Sequence, residues 1–293
     1  MQLHKLKNSV YFLPHSEDTD RPILGLVTGF KSSLVIDAGN SVNHAQQLLN
    51  LSANVIQKPI KHVVLTHWHW DHIFGAEAFN AKIIANSYNT NKIKELCNLE
   101  WTNQALDKRV ASGEEIPFCS EHIKKEFPDN NRQISIITPN TTIDGTSEID
   151  LGGVTCQLIN VSSDHNPEST IIYIPEQKIM FLGDILYMDM HNGDWSYTTE
   201  KIYPLIDKIE EFDVDYYLSS HQDPIDNLSM RSHFLKLRRI GRLADTYKGD
   251  KAMMESNYHK IADIFDQETE EIIDAFVAGW KKKQFDSHKK HRI

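Results

Sequence analysis

The sequence predicts an α/β fold carrying a helical insertion and a C-terminal helical extension. Three observations carry that expectation. Short apolar runs of strand length alternate with helix-length stretches through the first half of the chain. Between about residues 86 and 133 the pattern turns polar and helical. From Ser229 onward it is helical to the end. A length of 293 residues fits one or two domains.

Val10-Tyr11-Phe12-Leu13 opens the series as a short strand. Ile23 to Phe30 follows, loosened by Gly25 and Gly29. Leu34-Val35-Ile36 is a compact apolar run ended by Asp37-Ala38-Gly39, the pattern of a buried strand entering a turn. Ser41 suits the N-cap of a helix through Leu51, since its hydroxyl can accept from an orphan N–H of the first turn. Val63 to Thr66 reads as a strand, Ile73 to Phe79 as the start of a second helix, and Lys82-Ile83-Ile84 as a strand. The insertion has helical stretches at Asn91 to Asn98 and Thr102 to Ala111, with breaks at Gly113, Pro117 and Pro128. Its Trp101, Phe118 and Cys119 read first as anchors to the core, and second as pocket lining.

Strands resume at Ile134 to Ile137, Val154 to Val161, Thr170 to Ile174 and Ile179 to Leu182. Asp144-Gly145 and Leu151-Gly152-Gly153 mark turns between them. A helix from Thr199 to Phe212 precedes the strand Tyr216-Tyr217-Leu218. Met230, Phe234, Leu237 and Ile240, then Ile261, Ile264, Phe265, Ile272, Ile273, Phe276 and Val277, give the extension its helical spacing. Lys281 to Ile293 reads as a solvated helix end. The expected organisation is a catalytic domain over 1–225 with the insertion inside it, and a helical extension over 226–293 packed on it.

Composition removes several classes. The chain has 31 Lys+Arg against 41 Asp+Glu, a net charge of -10, which argues against nucleic acid as a partner. No apolar run reaches the roughly 18 residues of a membrane span, and Met1 to Pro14 lacks the core of a signal peptide. Three Cys (Cys97, Cys119, Cys156) without a C-x-x-C read as free thiols of a cytoplasmic protein. The unusual count is 15 His, several of them clustered.

The cluster is Thr66-His67-Trp68-His69-Trp70-Asp71-His72, directly after an apolar run. Imidazole and carboxylate are ligands that borderline divalent metals prefer. A loop leaving a strand can turn His67 and His69 toward one point. Asp71 and His72, one step further on, can then address a second.

This string resembles the H-x-H-x-D-H signature of the metallo-β-lactamase superfamily. Further elements follow in the family's order: His165 within Ser162-Ser163-Asp164-His165-Asn166-Pro167-Glu168-Ser169, Asp184 after Phe181-Leu182-Gly183, and His221 after Leu218-Ser219-Ser220. Asp37-Ala38-Gly39 matches the early D-x-G turn that supports the metal loop. The resemblance covers about residues 10–225 and implies a four-layer αβ/βα sandwich. It implies one metal on His67, His69 and His165, a second on Asp71, His72 and His221, and Asp184 bridging them. Two divalent ions would be the cofactors; zinc suits the set best, with iron and manganese as alternatives. A metal lowers the pKa of bound water toward ~7, and a second metal polarises the substrate oxygen. Asp71 is the catalytic candidate, orienting the nucleophile and handling a proton. Asp164 and Glu168 stand where the family usually has glycine, and the extra acids bear on substrate charge or pocket shape.

The implied activity is hydrolysis of a small-molecule ester, thioester or lactone. The alternatives are a phosphodiesterase or nuclease of the same fold, or an iron-dependent dioxygenase-type enzyme. Asp184 stands where the zinc β-lactamases that share a Cys ligand place it, and His69 differs from the acid of the flavodiiron branch. The glyoxalase II-type ligand set is present, but its segment around the last His is replaced by His221-Gln222-Asp223-Pro224. Tyr187, His191, Asp194, Trp195 and Tyr197 follow Asp184 and either touch substrate or pack their loop. Trp68 and Trp70 fix ligand rotamers and exclude water. His44 and His62 are ordinary. The expected partner is a small-molecule substrate, with no nucleic acid and no membrane; a homodimer through the C-terminal helices is the remaining possibility.

Overall fold

The structure is a computed structural model that describes residues 2–260, 262 and 264–290, with side chains to residue 284. The chain divides into two compact units. The first is Met1–Val161, Glu168–Asp184 and Val214–Ile225; the second is Ser162–Pro167, Ile185–Asp213 and Asp226–Ile293.

Two sheets form the first unit. The seven-stranded sheet runs in chain order: β1 (His4–Lys7), β2 (Val10–Leu13), β3 (Leu24–Thr28), β4 (Ser33–Ile36), β5 (Ile60–Val64), β6 (Lys82–Ala85) and β7 (Thr141–Thr142). Antiparallel pairing through β4 gives way to parallel pairing of β4, β5, β6 and β7. The six-stranded sheet contains β8 (Thr146–Asp150), β9 (Thr155–Val161), β10 (Ser169–Ile174), β11 (Ile179–Gly183), β12 (Tyr216–Ser219) and β13 (Ile225–Asp226), in the order β13-β12-β11-β10-β9-β8. Within it β11 and β12 are parallel.

The sheets share a core. Val10, Phe12, Val27, Leu34, Ile36, Val64 and Ile84 from one face Leu158, Ile172, Ile174, Ile179, Phe181 and Leu218 from the other. Gly25 has its reason here: a Cβ would lie 2.6 Å from Phe181 Cε1, so glycine lets the aromatic ring fill the space between the sheets. The opposite face of the first sheet packs on the helices α1 (Val42–Ser52), α2 (Trp70–Ile73), α3 (Ser87–Leu96), α4 (Asn103–Ser112) and α5 (Pro117–Glu126). Ser41 is the N-cap of α1 and accepts from the His44 N–H, as its position in the sequence predicts.

Helices make up the second unit: α6 (Thr199–Glu210), α7 (Asn227–Tyr247), α8 (Lys251–Tyr258) and α9 (Gln267–Lys290). α7 packs on α6, α8 and α9, and its stripe Met230, Phe234, Leu237, Ile240 and Ala244 is buried. No helix among the described residues is long and apolar enough to cross a membrane.

Several elements depart from the sequence reading. Ile73 to Phe79 does not build a long helix; α2 is one turn, followed by a 3-10 turn at Ala76–Ala78. Pro117 does not break a helix but begins one, at a first-turn position whose N–H is not needed. Ile134 to Ile137 form no strand; Ile134, Ile136 and Ile137 are half-buried loop anchors against the helix-side core. The extension is not continuously helical, since α8 ends at Tyr258 and α9 starts at Gln267. Ile261, counted among its apolar positions, lies outside the described residues. Lys282 and Lys283 are half-buried and paired: Lys282 with Asp189 and Ser196, Lys283 with Glu200. Beyond residue 284 the expectation of a solvated end falls outside the described side chains.

Candidate metal centre

Parallel strands of one orientation send their carboxyl ends to one edge, where open α/β sheets characteristically place their chemistry. Asp37 follows β4, the His67–His72 loop follows β5, Asp184 follows β11 and His221 follows β12. The loop after β5 is fixed locally. Thr66 donates its N–H to Asp37 Oδ1 at 2.7 Å and its hydroxyl to Asp37 Oδ2 at 2.9 Å. Its carbonyl accepts from the Thr170 N–H at 2.8 Å. His69 is then the extended cap of α2, whose single turn carries Asp71 and His72. Asp184 follows Gly183, which has φ +59, and a Cβ there would lie 2.8 Å from Thr66 Cβ. The glycine of the apolar-G-D element is therefore required twice, by the left-handed backbone and by the close approach of the metal loop.

Four side chains converge in the first unit: Asp71, His72, Asp184 and His221 each offer one ligand atom, all within 4.8 Å of one another. His72 Nε2 lies 2.9 Å from Asp71 Oδ2 and 3.3 Å from Asp184 Oδ2. His221 Nε2 lies 3.2 Å and 3.5 Å from the same two oxygens. Beside this group, His67 Nε2 and His69 Nδ1 face each other at 3.0 Å, and His67 Nε2 is 3.7 Å from Asp184 Oδ2. Asp184 thus touches both the His67–His69 pair and the four-residue cluster.

The donor set fits a divalent ion. Asp71 Oδ2 and His72 Nε2 are buried 2.9 Å apart without forming an aligned hydrogen bond, an arrangement costly for polar atoms unless a cation sits between such groups. Tautomers are arranged for it. His72 Nδ1 donates to Asp37 Oδ2 at 2.8 Å, which leaves the Nε2 lone pair facing Asp71 and Asp184. The electrostatics agree. Burial works against a charged imidazole at His221, yet Asp184 and Asp71 push it up to about 10. Burial likewise opposes charge on His72, and Asp71, Asp37 and Asp184 raise it well above the usual imidazole value. Burial would raise the two acids, but His72 and His221 hold Asp71 and Asp184 below the usual carboxylate range.

His165 belongs to the second unit. It lies in the loop 162–167, and its Nδ1 donates to the Met188 carbonyl at 3.1 Å, which places the neutral ring's lone pair on Nε2. Asp164 beside it is structural, since its Oδ2 accepts from the Thr198 N–H at 2.9 Å and its Oδ1 from the Thr198 hydroxyl at 2.7 Å. Burial raises Asp164 to about 6. This acid ties the loop to the start of α6. Tyr197 is buried and donates to the Leu186 carbonyl at 2.5 Å, so it packs its loop, whereas Trp195 is 53% exposed. In the insertion Trp101 and Cys119 are buried anchors and Phe118 is exposed. Trp70 is buried against Phe74, and Trp68 packs its ring edge on His69. His44 is fully buried with neither ring nitrogen bonded, and burial lowers its pKa to about 3.

One residue at the centre has no signature in the sequence. Asp20 Oδ1 lies 3.3 Å from His221 Nδ1. It is one acid among several in Glu17-Asp18-Thr19-Asp20, and nothing in that stretch distinguishes it. Burial and the nearby Asp71 raise it to about 7.

A family model described as the metallo-beta-lactamase superfamily matches residues 25–221. The linear primary-alkylsulfatase of a Pseudomonas species is 20% identical over 224 residues, 70% of this chain and 42% of that protein. The chain therefore spans about two fifths of that relative's length. A solved metallo-beta-lactamase from Pontibacter korlensis superposes with a TM-score of 0.56 at 17% identity, covering 80% of this chain and 96% of that one. An inverting sec-alkylsulfatase from Pseudomonas gives a TM-score of 0.66 at 16% identity, covering 96% of this chain and 50% of that one. At such identities the likeness speaks to the fold: two sheets with helices, and helices at the C-terminal end.

Proposed function

The chain belongs to the metallo-beta-lactamase superfamily, and on that premise we propose that it is a metal-dependent hydrolase of a small-molecule ester, thioester or lactone. The observation that carries the reading is the cluster of buried Asp71, His72 and Asp184 with half-buried His221, whose ligand atoms lie within 4.8 Å of one another. In this reading Asp71, His72 and His221 hold one ion, His67 and His69 serve another, and Asp184 serves both. Zinc suits these N and O donors, as iron and manganese also do. When bound, such ions supply Lewis acidity to a substrate oxygen and make water a nucleophile near neutral pH.

The protein's own residues do the rest. Asp37 holds His72 in one tautomer. Asp71 accepts a hydrogen bond from the attacking water and orients it. Trp70, buried against Phe74, keeps bulk water from the back of the loop. The alkylsulfatase likeness adds alkyl sulfate esters to the substrates worth assaying. Three free cysteines accord with a reducing, cytoplasmic setting.

Metal analysis of the purified chain, followed by a panel of lactones, thioesters, carboxylic esters, alkyl sulfates and phosphodiesters, tests the proposal. About two ions per chain with turnover of an ester-type substrate is the expected result. The reading fails if Asp184→Asn and His69→Ala proteins retain full metal content and full activity.

A further inference from the structure

Asp20 lies between β2 and β3, at the end of the 3-10 turn Glu17–Thr19. Its Oδ1 is 3.3 Å from His221 Nδ1, while His221 Nε2 faces Asp71 and Asp184. A carboxylate on Nδ1 keeps the proton there and leaves the lone pair on Nε2. This is the service that Asp37 performs for His72, supplied to the other imidazole from a different part of the chain.

The loop that carries Asp20 is held on every side. Ser16 and Arg21 exchange two backbone hydrogen bonds of 2.9 Å each. Asn40 Nδ2 donates to the Thr19 carbonyl at 2.7 Å. The Ile23 N–H donates to the Ser220 carbonyl at 2.6 Å, one residue before His221. The insertion supplies the remaining grip. Glu126, the last residue of α5, has a side chain only 3% exposed. It accepts from the Thr19 hydroxyl at 2.5 Å, from Arg21 Nη2 at 2.7 Å and from Arg21 Nε at 3.2 Å. The Ser41 hydroxyl also donates to it. One buried carboxylate of the insertion therefore grips the residues immediately before and after Asp20.

We propose that Asp20 is a positioning residue for His221, and that Glu126 extends the insertion's reach to the metal centre by clamping the loop that carries it. The inference rests on His221 being a metal ligand, as in the proposed function. It gives the 86–133 insertion a role beyond covering the core.

The full chain, loaded with zinc and equilibrated against a graded chelator, provides the test. His221→Ala identifies the ion that His221 holds. Asp20→Ala is expected to weaken that same ion by about 10–100-fold and leave the rest of the bound metal in place. Asp20→Asn keeps an acceptor oxygen and is expected to recover most of the loss. Glu126→Gln is expected to weaken the same ion less. The metal-free thermal midpoint of Asp20→Asn should match that of the parent, since Asn tolerates the left-handed φ of 57 held by Asp20, and that of Asp20→Ala should fall only by the cost of Ala in that conformation. Retention of that ion by Asp20→Ala at parental affinity overturns the proposal. So does an equal loss of all bound metal together with a metal-free midpoint lowered in Asp20→Asn as well, which would make Asp20 structural. If His221→Ala binds metal as the parent does, the ligand reading itself fails. Nitrogen NMR of zinc-loaded parent protein gives a readout independent of any variant: a proton on His221 Nδ1 is expected, and a proton on Nε2 refutes the positioning.

Discussion

Replacing Asp37 with Asn separates the part this residue plays in positioning metal from the part it plays in folding. Asp37 has φ +59, and Asn tolerates that left-handed conformation as readily as Asp, so the backbone should not change. The carboxylate accepts three hydrogen bonds, from the Thr66 N–H, the Thr66 hydroxyl and His72 Nδ1. In the variant the amide oxygen can keep the Thr66 N–H at 2.7 Å. The amide NH2 then occupies the place of Oδ2 and can only donate. Thr66 Oγ1 can turn and accept, but His72 Nδ1 must also become an acceptor, so its proton moves to Nε2. That removes the lone pair now aimed at Asp71 and Asp184 from 2.9 and 3.3 Å.

Restoring the lone pair would leave two donors facing each other in a buried site. The expected penalty is about 10–100-fold in metal affinity, equivalent to roughly 1.4–2.7 kcal/mol. Stability of the metal-free chain should fall by only about 1–2 kcal/mol, because charged acceptors are exchanged for neutral ones without loss of shape. Zinc titration against a competing chelator measures the first quantity, and urea unfolding in excess chelator measures the second. Metal affinity within twofold of the parent would refute the argument that Asp37 sets the His72 tautomer. Asp37→Ala should instead destabilise the fold by about 3 kcal/mol or more, since it strands buried donors, each at a cost of about 1–3 kcal/mol.

Gly183→Ala should cost about 2–5 kcal/mol by urea unfolding, combining about 1–2 for the left-handed backbone with about 1–3 for the intrusion on Thr66; a loss under 1 would show that the apolar-G-D turn has slack. His44 governs part of the acid limit. It stays neutral in the fold down to about pH 3, whereas in the unfolded chain it takes up a proton near its ordinary 6.5. Acid therefore favours the unfolded state through this group, and stability falls as pH drops from 6.5 toward 3, by roughly 4 kcal/mol at most. His44→Leu should flatten that part of the stability–pH curve, and an unchanged slope would refute the assignment. Glu268 acts in the same pH direction from the other unit. His233 and Lys236 outweigh burial and depress it to about 2, so its stabilisation is present above about 4.5 and fades below. Glu268→Gln should lose stability at pH 6 and lose little further between pH 4.5 and 2.

Three of the candidate ligand positions are legible because an apolar run lies just before them. Val63-Val64-Leu65 before His67, Phe181-Leu182-Gly183 before Asp184 and Tyr217-Leu218 before His221 all advertise a strand end. The supports are less visible. Asp37 announces itself through its turn, but Asp20 sits in an acidic stretch where three-dimensional placement alone singles it out. Elements whose residues lack an apolar signature escape a reading by pattern. β8 is Thr-Ser-Glu-Ile-Asp, an edge strand exposed at alternate positions, with too few apolar residues to stand out. Ile134 to Ile137 mislead the other way. Three isoleucines give a strand pattern, but these residues pack as a loop against the helix-side core, where burial rather than pairing is what they contribute. Pro117 illustrates a residue with two readings, breaker or first-turn starter, and the sequence around it does not decide between them.

The order of the site residues follows from a construction used twice. β4, Asp37, α1, β5 and the histidine loop make one strand–acid–helix–strand–histidine run; β11, Asp184, α6, β12 and His221 make another. Each contains a parallel strand pair, so the acid and the histidine of each run emerge at the same end of their sheet. The two acids nevertheless have opposite fates, and the difference is one residue of backbone. In the first run the left-handed position is Asp37 itself, with φ +59. In the second it is Gly183, at the same φ, and Asp184 comes after it. Asp37 ends among the Thr66 donors and His72 Nδ1, its oxygens saturated by hydrogen bonds. Asp184 ends within 3.3 to 3.7 Å of His72, His221 and His67, among ring nitrogens. A carboxylate whose oxygens are taken up by protein donors can orient a ligand but is poorly placed to be one. The Asp184 oxygen that meets three imidazoles is placed to serve a cation directly, which is why Asp184, rather than Asp37, is the acid assigned to the metal in the proposed function.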